Sequence, residues 1–378
     1  MKKLIFFLTF FCLLQTINSQ VIYEPFQSSK LGETRDLKIL LPRGYSPDDK
    51  TEYPLVIVLD GDYLFEPVIG NIDYQSYWDD MPECVVVGVK QSDTRELDFS
   101  YSDETFFPSH EGASFFEFIG MELIPYIEDT YNVSKFRVVV GHDLSANFLN
   151  YYLFKEYPVF RAYISLSPDL APQMDTRLQE KLPLLQEDTF YYLATADDDV
   201  QALHSKIVAA NNLLKDIDNP KLHYRFDNFA DANHYSLVGL GIPKAINEIF
   251  TLYKPINRLE YKEKVLTYEE GPYAYLEKKY EDIKSFYGFE KKPIENDFRA
   301  VAAAAKKLND MESLESLSKL ARKEYPESMI SAYYTGMYFE EKGNIKKALQ
   351  YYNSGLLLTP SEFIDKDMLL DKTYELQE

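Results

Sequence analysis

Five short apolar runs recur along the first two thirds of the chain, and each is hydrophobic on both faces of an extended strand. Such runs are typical of central parallel strands, whereas a half-exposed strand alternates apolar and polar positions. Segments with apolar residues at helical spacing lie between them, and strands that alternate with helices predict an α/β fold with a parallel sheet covered on both faces. The predicted strands are 53–61 with its closing turn, 84–89, 136–140, 162–166 and 189–194, and the predicted helices are 114–131, 146–156, 200–216 and 242–252.

An extended region precedes these strands. Residues 22–42 end in a rough alternation, with Leu37, Ile39 and Leu41 on one face, and this predicts a pair of strands. Leu40 breaks the alternation. We expect the sheet region to end near residues 251–255, after the helix at 242–252.

The last third of the chain is helical in its pattern. Residues 256–293 are charged and tyrosine-rich, and we interpret them as a helical connector that packs on the sheet region. Residues 294–378 contain an internal repeat of 34 residues, the period of the tetratricopeptide unit, which they resemble. A plain helical hairpin is the alternative interpretation. The repeat relates Ala302, Ala321 and Pro326 to Gly336, Gly355 and Pro360, and the second unit adds Phe339, Gly343, Ala348 and Tyr352.

The first twenty residues have the pattern of a secretory signal peptide. Two lysines precede an apolar run at 4–14, and small and polar residues follow it to Ser19. The run is shorter than the 18–20 apolar residues that a membrane anchor needs, so we expect cleavage near Gln20. The sequence therefore predicts an exported protein, periplasmic or extracellular, with 21–255 as its sheet domain, 256–293 as connector and 294–378 as helical repeats. No membrane span is predicted.

Composition narrows the classes of partner. The chain has 61 acidic and 40 basic residues and a net charge of −21, spread along its length, which disfavours binding to nucleic acid. After removal of the signal peptide one cysteine remains, Cys84, and its apolar surroundings predict a buried side chain. The histidines at 110, 142, 204 and 223 are scattered without metal-ligand spacing. We predict no metal and no cofactor.

The most informative motif is Gly141-His142-Asp143-Leu144-Ser145, between an apolar run and a helical pattern. Strand, tight turn and helix are the setting of the nucleophile elbow G-x-S-x-G, which exposes a serine at its apex. Here Asp143 stands at the apex, and Ser145 stands where the last glycine is expected. An aspartate cannot be activated as an alkoxide, so the substitution either changes the reaction or abolishes it.

Several further segments stand in a recognisable order along residues 21 to 255: Leu59-Asp60-Gly61-Asp62, Val87-Gly88-Val89 with Arg95 and Asp98, 122–127 with Tyr131 and Arg137, 165–168, and 233–236. This order of features resembles the putative esterase family of α/β hydrolases (esterase D type). This resemblance implies an α/β-hydrolase sheet with a catalytic histidine, His234, and an acid after the strand at 191–194. We expect that acid to be Asp199, with Asp197 or Asp198 as alternatives. Backbone N–H groups of Leu144 and of Gly61 or Asp62 are implied as oxyanion donors.

Two functional hypotheses follow from an aspartate at the apex. In the first, Asp143 is the nucleophile, as in epoxide hydrolases and haloalkane dehalogenases, whose Gly-His-Asp elbow it resembles. It would attack an ester or activated alkyl substrate, with His234 activating water and Asp199 orienting His234. In the second, the chain is an inactive pseudo-esterase whose cleft binds a ligand or a protein, while the helical repeats recruit a partner. A third interpretation makes Ser145 or Ser167 the nucleophile.

Overall fold

The centre of the computed structural model, which describes residues 21–48 and 50–377, is an eight-stranded sheet. Its strand order is β1-β2-β4-β3-β5-β6-β7-β8. The first two strands run antiparallel to their neighbours, and all other pairs are parallel. The strands are β1 (Val21–Gln27), β2 (Thr34–Leu40), β3 (Tyr53–Val58), β4 (Val85–Val89), β5 (Val133–His142), β6 (Ala162–Leu166), β7 (Thr189–Asp198) and β8 (Leu222–Asn233).

Helices cover both faces of this sheet, and a purely helical region follows it. A π-helical segment, Phe118–Leu123, joins α3 to α4, and a 3-10 segment, Leu149–Phe154, continues α5. The helices are α1 (Phe65–Tyr77), α2 (Arg95–Asp98), α3 (Glu111–Glu117), α4 (Ile124–Thr130), α5 (Leu144–Phe148), α6 (Met174–Lys181), α7 (Gln201–Leu214), α8 (Leu237–Ile249), α9 (Arg258–Glu263), α10 (Pro272–Tyr287), α11 (Glu295–Leu308), α12 (Met311–Glu324), α13 (Met329–Glu341), α14 (Ile345–Gly355) and α15 (Lys366–Glu375).

The sheet separates two hydrophobic cores. Alternate side chains of each central strand enter opposite cores, so Ile57 packs beneath α3–α7 and Val56 beneath α1, α8 and α10. Both faces of the central strands are therefore buried, which is why their sequences are continuously apolar. Leu40, which breaks the alternation in β2, enters the core opposite to Leu37 and Ile39. The predicted α/β fold, with helices on both faces of a mostly parallel sheet, is confirmed.

Helix α10, within residues 256–293, packs on the sheet. Ile283 and Tyr287 of α10 are fully buried and belong to the core formed with α1 and α8. The Tyr287 hydroxyl donates to the Ile249 carbonyl at 2.9 Å, and the backbone carbonyl of Tyr287 accepts from the Ser134 hydroxyl at 3.1 Å. Helix α10 is therefore part of the same folded body as the sheet.

Helices α11–α15 form a third hydrophobic core. The α13–α14 pair is close because Gly336 has no side chain: a Cβ there would lie 2.4 Å from the Tyr352 ring. Gly355 likewise lies against the Ala332 methyl group, where a Cβ would approach to 2.6 Å. The small residues picked out by the repeat pattern thus lie at helix–helix contacts.

Two further predictions concern membranes and the cysteine. Within the described ranges, no helix is both long and apolar enough to cross a bilayer. Cys84 is buried, and burial raises the pKa of its thiol. The predicted signal peptide lies outside the described residues.

Candidate active site

The candidate side chains gather at the carboxyl-terminal edge of the parallel strands, the usual location of sites in open α/β sheets. They come from the loops after six strands, β3 to β8, so strand order decides which of them meet. Three of them have positive φ angles without being glycine: Asp60 (53°), Asp143 (61°) and Ser167 (43°). Such backbone strain, at roughly 1–3 kcal/mol a residue, concentrates at functional sites. The residues are Asp60 and Asp62 after β3, Arg95 after β4, Asp143 after β5, Ser167 after β6, Asp199 after β7 and His234 after β8.

Asp143 occupies the turn between β5 and α5, with φ 61° and ψ −118°. Its N–H donates to the Leu166 carbonyl at 3.1 Å, and its own carbonyl accepts from the Asn147 N–H at 3.2 Å. Gly141 lets the strand and helix backbones touch, since a Cβ there would lie 2.6 Å from the Ser145 carbonyl carbon. The turn presents the Asp143 carboxylate, whose side chain is 26% exposed, to the site.

The partner of this carboxylate is Arg95. Both terminal nitrogens of the guanidinium, Nη1 and Nη2, donate to the same oxygen, Asp143 Oδ2, at 3.3 Å each. Arg95 is held in turn by Asp60, through Nε to Oδ1 at 2.7 Å and Nη2 to Oδ2 at 3.1 Å. The other oxygen of Asp143, Oδ1, accepts no hydrogen bond from any residue in 21–48 or 50–377. In the sequence, Arg95 was recognisable only as part of a segment that matches the family, and no role for it followed from that match.

His234 is oriented by Asp199. Its Nδ1 lies 2.8 Å from Asp199 Oδ1, and the Asp199 side chain is fully buried. Asp199 Oδ2 accepts from the hydroxyls of Ser167 at 2.7 Å and Thr195 at 2.8 Å, and Oδ1 also accepts from the Val200 N–H at 2.8 Å. Burial by itself opposes ionisation, but these hydrogen bonds, led by that from His234, outweigh it and hold the pKa of Asp199 well below its usual range.

The two alternative acids do not have the position of Asp199 beside His234. Asp197 and Asp198 are exposed, and Asp197 accepts from the Asn228 amide at 2.7 Å. Of the three consecutive acids, Asp199 is the one whose hydrogen bond reaches His234.

An ionised Asp199 fixes the proton of His234 on Nδ1 and leaves Nε2 as the basic nitrogen. In the part of the chain that the structure describes, His234 Nε2 has no hydrogen-bond partner, so no hydrogen bond connects the imidazole to the Asp143 carboxylate. The acid and histidine are thus assembled, while the apex carboxylate is held by Arg95 instead of by the imidazole.

His142 lies in the site, although the sequence pattern gave it no role beyond its place in the elbow motif. It is 2% exposed, and its ring centre lies 4.5 Å from that of His234. Its Nε2 lies 2.9 Å from the His234 carbonyl, and its Nδ1 lies 3.2 Å from the Tyr63 hydroxyl. Burial, followed by the neighbouring His234, lowers the pKa of His142 and favours the neutral ring, which donates through Nε2. The sequence feature that could have identified His142 as a site residue is its position directly before the apex residue, Asp143.

The predicted oxyanion donors separate into two groups. Gly61 is excluded because its N–H donates to the Val89 carbonyl at 2.8 Å. Leu144 begins α5, where N–H groups lack intrahelical acceptors. The Asp62 carboxylate accepts from the N–H groups of Gln91 and Ser92. The backbone N–H of Asp62 has no acceptor among the described residues. The N–H groups of Leu144 and Asp62 are therefore the pair available as oxyanion donors.

The hydroxyls of Ser145 and Ser167 are both committed to structure. Ser145 is fully buried, donates to the His142 carbonyl at 2.9 Å and accepts from the His142 N–H at 2.8 Å. Ser167 is also fully buried and donates to Asp199. Neither is placed to attack a substrate. Within the described ranges, no cluster of three histidine, cysteine or acidic residues could hold a metal ion.

The lowered pKa of Asp199 predicts a pH-dependent contribution to stability. A carboxyl group with a depressed folded-state pKa stabilises the fold above its unfolded value, about 3.9, and this stabilisation is lost as the pH falls through the folded value. The wild type should therefore have a higher free energy of unfolding than Asp199→Asn near neutral pH, and this difference should shrink below about pH 4. Urea titration of both proteins measures it. Asp197→Asn, at an exposed acid, is the control. An Asp199→Asn difference equal at pH 5 and pH 3 would contradict the prediction.

The chain is similar to known proteins. The model of the family described as Putative esterase matches residues 28–222. A crystal structure of an uncharacterised protein from Capnocytophaga ochracea is 32% identical, with a TM-score of 0.81, and the match covers 95% of this chain and 99% of that one. An IroE-like serine hydrolase from Shewanella oneidensis is 21% identical, with a TM-score of 0.60, over 79% of this chain and 98% of that one, and shares the fold. The search of curated proteins found no match.

Proposed function

We propose, because this chain belongs to the putative esterase family of α/β hydrolases, that it is a hydrolase whose nucleophile is the Asp143 carboxylate. One observation carries the proposal: Arg95 holds Oδ2 of Asp143 and leaves Oδ1 without a partner in the described chain. A pair formed by Asp199 and His234 supplies an oriented base on the same sheet edge. A site that only bound a ligand would not need this orientation of the imidazole.

The chemistry that suits a carboxylate nucleophile is attack on an sp3 carbon. Asp143 Oδ1 forms a bond to that carbon as the bond to the leaving group breaks, and the leaving group takes the electron pair. His234 Nε2 then removes a proton from water, and the resulting hydroxide attacks Asp143 Cγ. The alcohol leaves with the proton from His234, the hydroxyl group added to Cγ releases its proton to solvent, and the carboxylate is restored. The proposed substrates are esters cleaved at their alkyl carbon, epoxides and other activated alkyl compounds, because attack on an acyl carbon would give a reactive anhydride.

Trapping of the alkylated enzyme tests the proposal. In His234→Gln the first step remains possible, whereas the second lacks its base, so the adduct should accumulate. We expect 4-nitrobenzyl bromide or styrene oxide to give a stoichiometric adduct on the Asp143 peptide, read by mass spectrometry. The wild type should instead release alcohol or diol, and His234→Gln/Asp143→Asn should give no adduct at this peptide. An unmodified Asp143 in His234→Gln, with both probes, would contradict the proposal.

The alternative is an inactive pseudo-esterase that binds a ligand or a protein. The ion pair between Arg95 and Asp143 favours it, because a guanidinium reduces the nucleophilicity of the carboxylate it neutralises. So does the lack of a hydrogen bond between Asp143 and His234 in the described chain. Under this alternative, the wild type has no activity toward aryl esters or alkylating probes, and Asp143→Ser gains esterase activity through the retained acid–histidine pair.

The helical region suggests a second kind of partner. We propose that residues 294–378 are tetratricopeptide-like repeats that recruit a protein, after the connector at 256–293 and the hydrolase domain at 21–255. The close contact of Gly336 with Tyr352 supports this, since repeats of this kind need small residues where paired helices approach. Export to the periplasm or the extracellular space is likewise a proposal, and it rests on the charged start and short apolar run of the first twenty residues.

A further inference from the structure

We infer that Arg95 makes the two oxygens of Asp143 unequal, so that Oδ1 alone attacks and Oδ2 carries the negative charge of the hydrolysis intermediate. This inference rests on the proposed function. Both guanidinium donors reach the same oxygen, Oδ2, at 3.3 Å. Oδ1 receives none in the part of the chain that the structure describes, so its lone pairs are available to an electrophile.

Arg95 can discriminate the two oxygens only if it stays fixed when the carboxylate reacts. Its guanidinium is bound in a second place by Asp60, whose side chain is 2% exposed. Asp60 is held by its N–H donating to the Gln91 side chain at 2.9 Å and by the Tyr63 hydroxyl donating to its carboxylate at 3.1 Å. A third bond joins Arg95 Nη2 to the His142 carbonyl at 3.2 Å. The guanidinium is therefore anchored to the protein independently of Asp143.

The anchored guanidinium gives each reaction step a defined oxygen. In the first step Oδ1 becomes the ester oxygen, while Oδ2 remains the carbonyl oxygen beside Arg95. When hydroxide adds to Cγ, the negative charge develops on Oδ2, where two charge-assisted donors already lie. Expulsion of the alcohol removes the original Oδ1 atom, and the oxygen from water takes the unbound position. Arg95 thus touches a reacting atom and acts as the oxyanion donor of the second step.

An isotope experiment distinguishes this arrangement from a freely rotating carboxylate. After one stoichiometric turnover in oxygen-18 water, the carboxylate holds one labelled oxygen, in the position that attacks next. A second stoichiometric turnover in ordinary water should then remove the label completely from the Asp143 peptide. If the two oxygens exchange places between turnovers, about half of the label remains, since the terminal torsion of a carboxylate is two-fold.

The experiment uses the full chain, with 4-nitrobenzyl bromide as the probe and peptide mass spectrometry as the readout. We expect complete loss of label in the wild type and retention of about half in Arg95→Lys, whose single ammonium group does not reproduce the paired donors. The rate of the second step should also fall about 10²–10³-fold in Arg95→Lys, as for loss of an oxyanion donor. Arg95→Met, which removes the cation, should likewise retain about half of the label; its folding is checked by circular dichroism because Asp60 loses its guanidinium partner.

The outcomes separate the two proposals. If oxygen-18 never enters the Asp143 peptide, the nucleophile assignment fails and the inference fails with it. If the label enters but half remains in the wild type after the second turnover, Asp143 is the nucleophile and the role of Arg95 is wrong. Complete loss of label in both the wild type and Arg95→Lys would also overturn the role of Arg95, because another group would then distinguish the oxygens.

Discussion

Asp199→Asn is expected to lower the rate of the hydrolysis step by about 10³–10⁴-fold, the loss typical of an active-site histidine held in the wrong tautomer. The asparagine amide would donate to Nδ1 of His234, which places the proton on Nε2, the nitrogen that must accept a proton from water. The first step needs no base, so alkylation of Asp143 should proceed at nearly the wild-type rate. The variant should therefore show one equivalent of rapid leaving-group release followed by very slow turnover.

This split between the two steps identifies the role of the acid. It is measured by stopped-flow detection of bromide or chromophore release from a 4-nitrobenzyl substrate, together with steady-state turnover. Asp198→Asn is the matched control, because this neighbouring acid is exposed and should leave both phases unchanged. An equal loss in the two phases would point to a collapsed site, and an unchanged steady state would exclude Asp199 from the mechanism.

Tyr287→Ala is expected to lower the free energy of unfolding by about 3–5 kcal/mol, the range for truncation of a buried aromatic side chain. The ring is fully buried and lies 5.0 Å from Phe136 of the central strand β5 and 5.5 Å from Phe250, between ring centres. Truncation would open a cavity between α10 and the sheet. Urea unfolding followed by circular dichroism measures the loss.

Two variants make this result specific. Tyr287→Phe keeps the ring and loses only the hydrogen bond to Ile249, so a cost near 1 kcal/mol is expected. Ser285→Ala, at an exposed position of the same helix, should change stability by less than about 0.5 kcal/mol. A cost below about 1 kcal/mol for Tyr287→Ala would mean that α10 is not integrated with the sheet.

The sequence predicted the central strands well, but it did not predict β8, which lies at one edge of the sheet. The run at 162–166 coincides with β6, all of whose residues are buried. β5 and β7 are longer than predicted, since each extends into polar residues that still pair with a neighbour, His142 with Leu166 and Thr195 with Asn228. β8 was missed because it lies at the edge of the sheet with only two of its twelve residues buried, so its sequence, LHYRFDNFADAN, contains no continuous apolar run.

The sequence alone determined the features that depend on the local pattern of apolar and small residues. The confirmed α/β fold follows from apolar runs that must be buried on both faces, and the tight turn at Asp143 follows from small residues between a strand and a helix. Only the tertiary structure decided that Arg95, 48 residues earlier in the chain, holds one oxygen of Asp143 and that His142 braces the loop of His234, 92 residues away. These contacts depend on the order of the strands in the sheet, since parallel neighbours bring their carboxyl ends together whatever their separation in sequence.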